Sequence, residues 1–148
     1  MKPVTIKWLR DVDVCEEGIE YFESLDQKYS NPIKLCKKLK ADKKIKWLNW
    51  FAFHYCKDVK DRHSVRKYIT ESNYAYLYCK YIKDRPSIRK YITNSDDAYW
   101  YCMYVKDRPS VRKYIKRGEN DKQHNIIIWY VYFQYLWFIV HYYCKRFL

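Results

Sequence analysis

Three segments of this chain align without a gap: HYCKDVKDRHSVRKYI at 54–69, LYCKYIKDRPSIRKYI at 77–92 and WYCMYVKDRPSVRKYI at 100–115. Cys56, Cys79 and Cys102 keep a step of 23 residues, as do Asp61, Asp84 and Asp107. Ala52, Ala75 and Ala98 keep it too, so the unit extends upstream of the aligned block. A repeat of this length is one supersecondary unit that buries its apolar side against its neighbours.

The periodicity predicts two helices per unit. In the third copy the first helix is expected over 97–106, where Ala98, Tyr101, Cys102 and Val105 share one face. Ser95 or Asp96 is its expected N-cap. The second helix is expected to open at Pro109, because a proline in the first turn gives up no intrahelical bond. Val111, Tyr114 and Ile115 then point inward. Pro86 serves the middle copy, and His63 in the first copy is expected to loosen that helix start without abolishing it.

Two basic motifs recur. Arg66/Lys67, Arg89/Lys90 and Arg112/Lys113 form a candidate binding ladder along the second helices. Arg62, Arg85 and Arg108 follow Asp61, Asp84 and Asp107, and these pairs are expected to tie one repeat to the next. The RK pairs are expected on a solvent or ligand face, where Lys and Arg hold phosphates or acidic side chains. Charge is concentrated there: residues 56–118 carry 16 Lys/Arg against 7 Asp/Glu, out of a formal net charge of +13. Such a field recruits nucleic acid, anionic lipid or an acidic protein, and it also serves as a soluble face.

The N-terminal region offers Glu16 to Leu25 as a helix with Ile19 and Phe22 inward. A break at Asn31-Pro32 comes before a second helix over 33–39. Trp47, Trp50 and Phe51 read as core packing. With 18 Tyr, 6 Trp and 6 Phe, the core is expected to be built from rings.

The stretch Cys15-Glu16-Glu17-Gly18-Ile19-Glu20-Tyr21-Phe22 resembles the opening "C-x-E-G-aliphatic-E-W-F" of small helical repeat proteins of phages and bacteria. Lys44-Ile45-Lys46-Trp47-Leu48-Asn49-Trp50-Phe51 is similar to their "K-L-x-W-x-x-W-L" helix. Ala98, Tyr101, Cys102, Val105, Arg108 and Pro109 resemble their repeat pattern, with cysteine where alanine is usual. Some of these proteins are labelled immunity-protein-like, and the group has no assigned reaction. The resemblance implies an all-α fold and carries over no catalytic residue. Abundant Lys, Ile, Tyr, Asn and Phe beside scarce Ala and Gly fit AT-rich codons, as in a phage or virus.

Residues 126–144, IIIWYVYFQYLWFIVHYYC, contain no charge. Nineteen helical residues rise about 28 Å, near the thickness of a bilayer's hydrocarbon core. Basic residues before the stretch would place 1–122 in the cytoplasm of a tail-anchored protein. Gln134 and His141, on one stripe with Tyr130, equally suit a helix that closes the repeat array, and the β-branched content admits a strand.

Several chemistries are set aside. Two glycines, Gly18 and Gly118, cannot build a phosphate loop. His54 and Cys56 point to different helix faces, so no metal site is expected. Glu16/Glu17 and Asp96/Asp97 sit at helix starts as caps. Six cysteines without a CxxC pair, and no secretory signal, suit reduced thiols in an intracellular protein, with Cys56, Cys79 and Cys102 filling inward slots. The expectation is therefore a short α-solenoid: an N-terminal helical region over 1–44, repeats over 45–118 and a hydrophobic segment over 119–148. It would act as a non-enzymatic interaction protein without cofactors. Its expected partner is an unidentified protein, an acidic one among the candidates; a basic nucleic-acid-binding repeat protein and a tail-anchored membrane protein are the alternatives, and a small-molecule ligand is not expected.

Overall fold

The computed structural model describes residues 2–116 and is all-helical over them, with nine α-helices. The hydrophobic segment, and with it the anchor and closing-helix readings, lies outside the described residues. Among those described, no helix is long and apolar enough to cross a membrane.

The N-terminal region holds α1 (Ile6–Asp11), α2 (Glu16–Glu23), a 3-10 turn (Gln27–Ser30) and α3 (Pro32–Ala41). Helix α1 has no counterpart in the sequence expectations, and α2 stops two residues before Leu25. The Asn31-Pro32 break is a helix start: the Asn31 side chain accepts from the amides of Ile33 and Lys34, and Pro32 occupies the first turn. Helices α1 and α3 both end in a left-handed residue, Asp13 (φ 55°) and Lys43 (φ 58°). In each case the following amide bonds back five residues, Val14 to Leu9 and Lys44 to Leu39, which satisfies the last carbonyls. Gly18 lets α2 press on the turn before it, since an added Cβ would stand 2.5 Å from Val14 Cγ1.

The repeats follow as α4 (Ile45–His54) with α5 (His63–Arg66), α6 (Ser72–Tyr81) with α7 (Pro86–Arg89), and α8 (Ser95–Tyr104) with α9 (Pro109–Arg112). Helix α6 packs on both α4 and α8, so the first helices carry the stacking. The second helices are single turns, tightened by i→i+3 bonds such as Ile69 to Arg66 and Ile92 to Arg89. Pro86 and Pro109 stand in the first turn as expected. His63 starts a helix of the same four residues, so the first copy does not lose its second helix. That copy differs upstream instead, where a π-helical turn, Tyr55–Val59, extends α4.

The third copy's first helix begins two residues before the expected Asp97. Its N-cap is Asn94, whose side chain accepts from the amides of Asp96 and Asp97, in place of Ser95 or Asp96. Ser95 belongs to another series. Asn49, Ser72 and Ser95 share one repeat register. Asn49 is fully buried; its Oδ1 accepts from the amides of Thr70 and Glu71 at 2.6 and 2.9 Å, and its Nδ2 donates to the Ile45 carbonyl. Ser72 Oγ does the same for Thr93 and Asn94, both at 3.1 Å. One polar side chain on α4, and one on α6, thus fixes the loop that leads into the next first helix.

The core mixes rings and branches. Tyr55, Tyr78 and Tyr101, one per repeat, are at most 1 % exposed, and each such burial contributes about 2–3 kcal/mol. Around them lie Val65, Ile69, Ile88, Ile92 and Val111 from the second-helix turns. Tyr114 and Ile115 are only half-buried, unlike Val111. Of the expected aromatic core edge Phe51 is buried, while Trp47 and Trp50 are half-buried.

Replacing the buried Asn49 by alanine removes the partner of the Thr70 and Glu71 amides and is expected to lower stability by about 2–3 kcal/mol, against about 1 for Ser72→Ala. Urea unfolding of the full chain measures both; equal costs would mean the loop amides find other partners.

Candidate functional site: the second-helix basic face

The Asp-Arg motifs form cross-repeat nodes. Asp61 accepts from Arg66 Nη1 at 3.0 Å within its own repeat, and from Arg85 Nε and Nη2 at 3.2 and 2.9 Å from the next. Arg85 Nε also donates to the hydroxyl of buried Tyr78 at 3.1 Å. One repeat on, Asp84 accepts from Arg89 Nη1 at 2.7 Å and from Arg108 Nη2 at 3.4 Å, while Arg89 also reaches the Tyr101 hydroxyl. Asp107 is held by Arg112 of its own repeat, and both side chains are more than half exposed. Arg62, half-buried, has no aspartate one repeat earlier, because Lys38 stands at that register.

The expected inter-repeat tie therefore holds for Arg85 and Arg108, and it takes a further arginine that was assigned elsewhere. Arg66, Arg89 and Arg112 turn back onto Asp61, Asp84 and Asp107, five residues before them. The side chains of Arg66 and Arg89 are only 15 % and 13 % exposed. Of the six candidate ladder residues, Arg66 and Arg89 are thus largely covered, while Arg112 and the three lysines are exposed. An arginine one turn from a loop carboxylate finds a bidentate-capable partner at once, whereas the adjacent lysine points to solvent.

Lys67, Lys90 and Lys113 are exposed, and each ammonium lies over the ring of the following tyrosine, at 5.2, 4.9 and 4.9 Å from Tyr68, Tyr91 and Tyr114. The rings beneath these ammonium groups are half-buried, which restricts the freedom of the lysines over them. Two clefts open along this face. One, of about 670 Å³, is lined by Lys37, Lys40, Ala41, Lys67 and Tyr68; the other, of about 300 Å³, lies between α7 and α9 beside Lys90 and Lys113. Neither is lined by an acidic residue. Lys37 and Lys40 went unnoticed in the sequence because α3 lies outside the repeat register.

A second exposed feature lies on two tyrosines that the sequence pattern does not single out. Tyr81 and Tyr104, one repeat apart, are 58 % and 59 % exposed, and Trp100 stacks on Tyr104 with a 5.5 Å ring separation. Lys80 lies over the rings of Tyr76, Tyr81 and Tyr104.

The cysteines fill the slots expected of them. Cys56 and Cys79 are buried, Cys102 is half-buried, and the backbone amides of Arg62, Arg85 and Arg108 reach their sulfurs. Burial pushes the Cys56 thiol up to about 11 and Cys79 up to about 12, which keeps both protonated and poorly nucleophilic at neutral pH. His54 is half-buried against Trp50 and faces Asp58 at 3.7 Å. Among the described residues no His, Cys, Asp or Glu cluster has metal-binding geometry.

Burial pushes the Asp61 carboxyl up, but Arg66, Tyr78 and Arg85 outweigh it and hold the group below its ordinary range. A depressed folded-state value means the stabilisation is complete above the unfolded value of about 4 and is lost as pH falls through the folded value. Acid unfolding of the full chain should therefore steepen below about pH 4. Asp61→Asn is expected to be less stable at neutral pH and to lose that part of the slope; a variant with the parental acid profile would place the node's energy elsewhere.

No family model matches this chain, nor does any curated protein or solved structure.

Proposed function

We propose that this chain is a non-enzymatic interaction protein: a short α-solenoid of 23-residue, two-helix repeats that binds an acidic protein surface along its second-helix face. The observation that carries this reading is the separation of roles within each Arg-Lys pair. Arg66 and Arg89 are covered by their pairing with Asp61 and Asp84, while Lys67, Lys90 and Lys113 stay exposed on tyrosine rings beside acid-free clefts. Lysines at one repeat's interval are compact charges on flexible stems and suit an acidic surface without demanding the planar geometry an arginine fork selects. The first-helix stacking and the loop clamps at Asn49 and Ser72 support the solenoid reading.

A second reading, single-stranded nucleic acid, has its own observation in the exposed rings of Tyr81 and Tyr104 with Lys80 among them. Rings beside cations stack bases without regard to sequence.

Fluorescence anisotropy of a labelled poly-glutamate peptide and of a labelled (dT)20 strand, each titrated with the full chain at several salt concentrations, separates the two. On the leading reading the peptide binds, and Lys67→Glu with Lys90→Glu and Lys113→Glu weakens it at least tenfold while the circular dichroism spectrum is unchanged. Loss of (dT)20 binding on Tyr81→Ala with Tyr104→Ala, alongside a peptide that never binds, would move the function to nucleic acid. Binding of neither ligand at low salt would sink both.

A further inference from the structure

The N-terminal helices enclose a cleft that the basic face does not use. It measures about 350 Å³, within the size range of small-molecule sites, and lies between α1, α2, α3 and α4 with Tyr74 of α6 also in its lining. Its floor is apolar: Leu9, Leu35, Leu39 and Phe51 are each at most 4 % exposed. Half-buried rings make the walls, among them Tyr21, Trp47 and Trp50.

The walls are braced. Tyr21 and Trp47 meet edge to face with centroids 5.5 Å apart, and the Lys44 ammonium lies over both rings at 4.8 and 4.1 Å. The Tyr21 hydroxyl donates to Asp42, which Lys38 also holds. At the lining stand two charges, Asp13 and Lys46, and neither forms an ion pair among the described residues. The exposed thiol of Cys15 borders the same opening.

We infer that this cleft binds an apolar organic anion, an aromatic or short alkyl carboxylate whose body lies between the Trp47 and Trp50 walls and whose charge meets Lys46. Two features set the sign. The Lys44 charge already sits on two of the wall rings, so a ligand cation would meet like charge there. Lys46 is uncommitted, and the chain's net charge of +13 draws anions toward it. Asp13 can accept a hydrogen bond from a donor on the ligand body, which favours hydroxyl- or amine-bearing aromatics over plain hydrocarbons.

The full chain would be titrated with the fluorescent aromatic anion 8-anilinonaphthalene-1-sulfonate, then competed with 2-naphthylacetate and, separately, with 2-naphthylmethylammonium. Saturable one-to-one binding is expected, with the carboxylate competing at least tenfold better than the ammonium. Cys15→Trp, which crowds the opening from an exposed position, should abolish binding, and Lys46→Gln should weaken it roughly three- to tenfold. Iodoacetamide labelling of Cys15, read by peptide mass, should slow when the probe is bound. Equal competition by the two naphthyl compounds overturns the charge assignment. Binding unchanged in both variants overturns the site. A Cys15 that resists labelling in the free full chain also overturns it, because the cleft is then already covered by protein. None of these outcomes depends on the lysines of the second-helix face.

Discussion

The carboxylate of the inter-helix loop is the joint on which the repeats depend. Asp61 and Asp84 each take one arginine from their own unit and one from the next, next to a buried tyrosine hydroxyl. A lone carboxylate at that depth would be strongly destabilising; two guanidinium groups and a phenol make the burial tolerable and impose a direction on the stack. Apolar packing of α6 on α4 and α8 supplies the cohesion but not the register, because rings and aliphatic side chains tolerate sliding. The node and the Asn49 and Ser72 clamps fix register at two separate points of each junction.

Much of this was readable from the chain. The 23-residue step, the two helices per unit, the first-turn prolines and the inward cysteines all follow from spacing, since a repeated sequence repeats its environment. The inter-repeat role of Arg85 and Arg108 was equally visible in the Asp-Arg doublets. The other partner of each aspartate was not. Arg66 and Arg89 look on sequence like half of a basic ladder, and nothing in the RK dipeptide says that one member will fold back five residues. That outcome depends on the sharp turn between the paired helices, which brings the loop carboxylate over the start of the next turn.

The loop clamps escaped for a related reason. Asn49, Ser72 and Ser95 keep the 23-residue step, but their identities change from one copy to the next, and a serine before two aspartates reads first as a local cap. Their register was the available signal. The exposed rings of Tyr81 and Tyr104 were hidden by abundance: with 18 tyrosines, helical spacing places some of them on every face, and composition cannot sort core from surface. The N-terminal cleft could not be foreseen at all, because its lining comes from five helices and the space between them is a property of packing angles.

Each junction is assembled from halves that sit on successive units: a carboxylate and a clamp on one, an arginine, a tyrosine and a pair of loop amides on the next. The middle unit therefore carries both a plug and a socket, in Asp84, Arg85, Ser72 and Tyr78. An in-frame duplication of 23 residues would give a chain whose new junction is already formed by the same groups. Loss of one unit would rejoin compatible ends. Such a change in length by whole units would keep the 23-residue spacing of Lys67, Lys90 and Lys113.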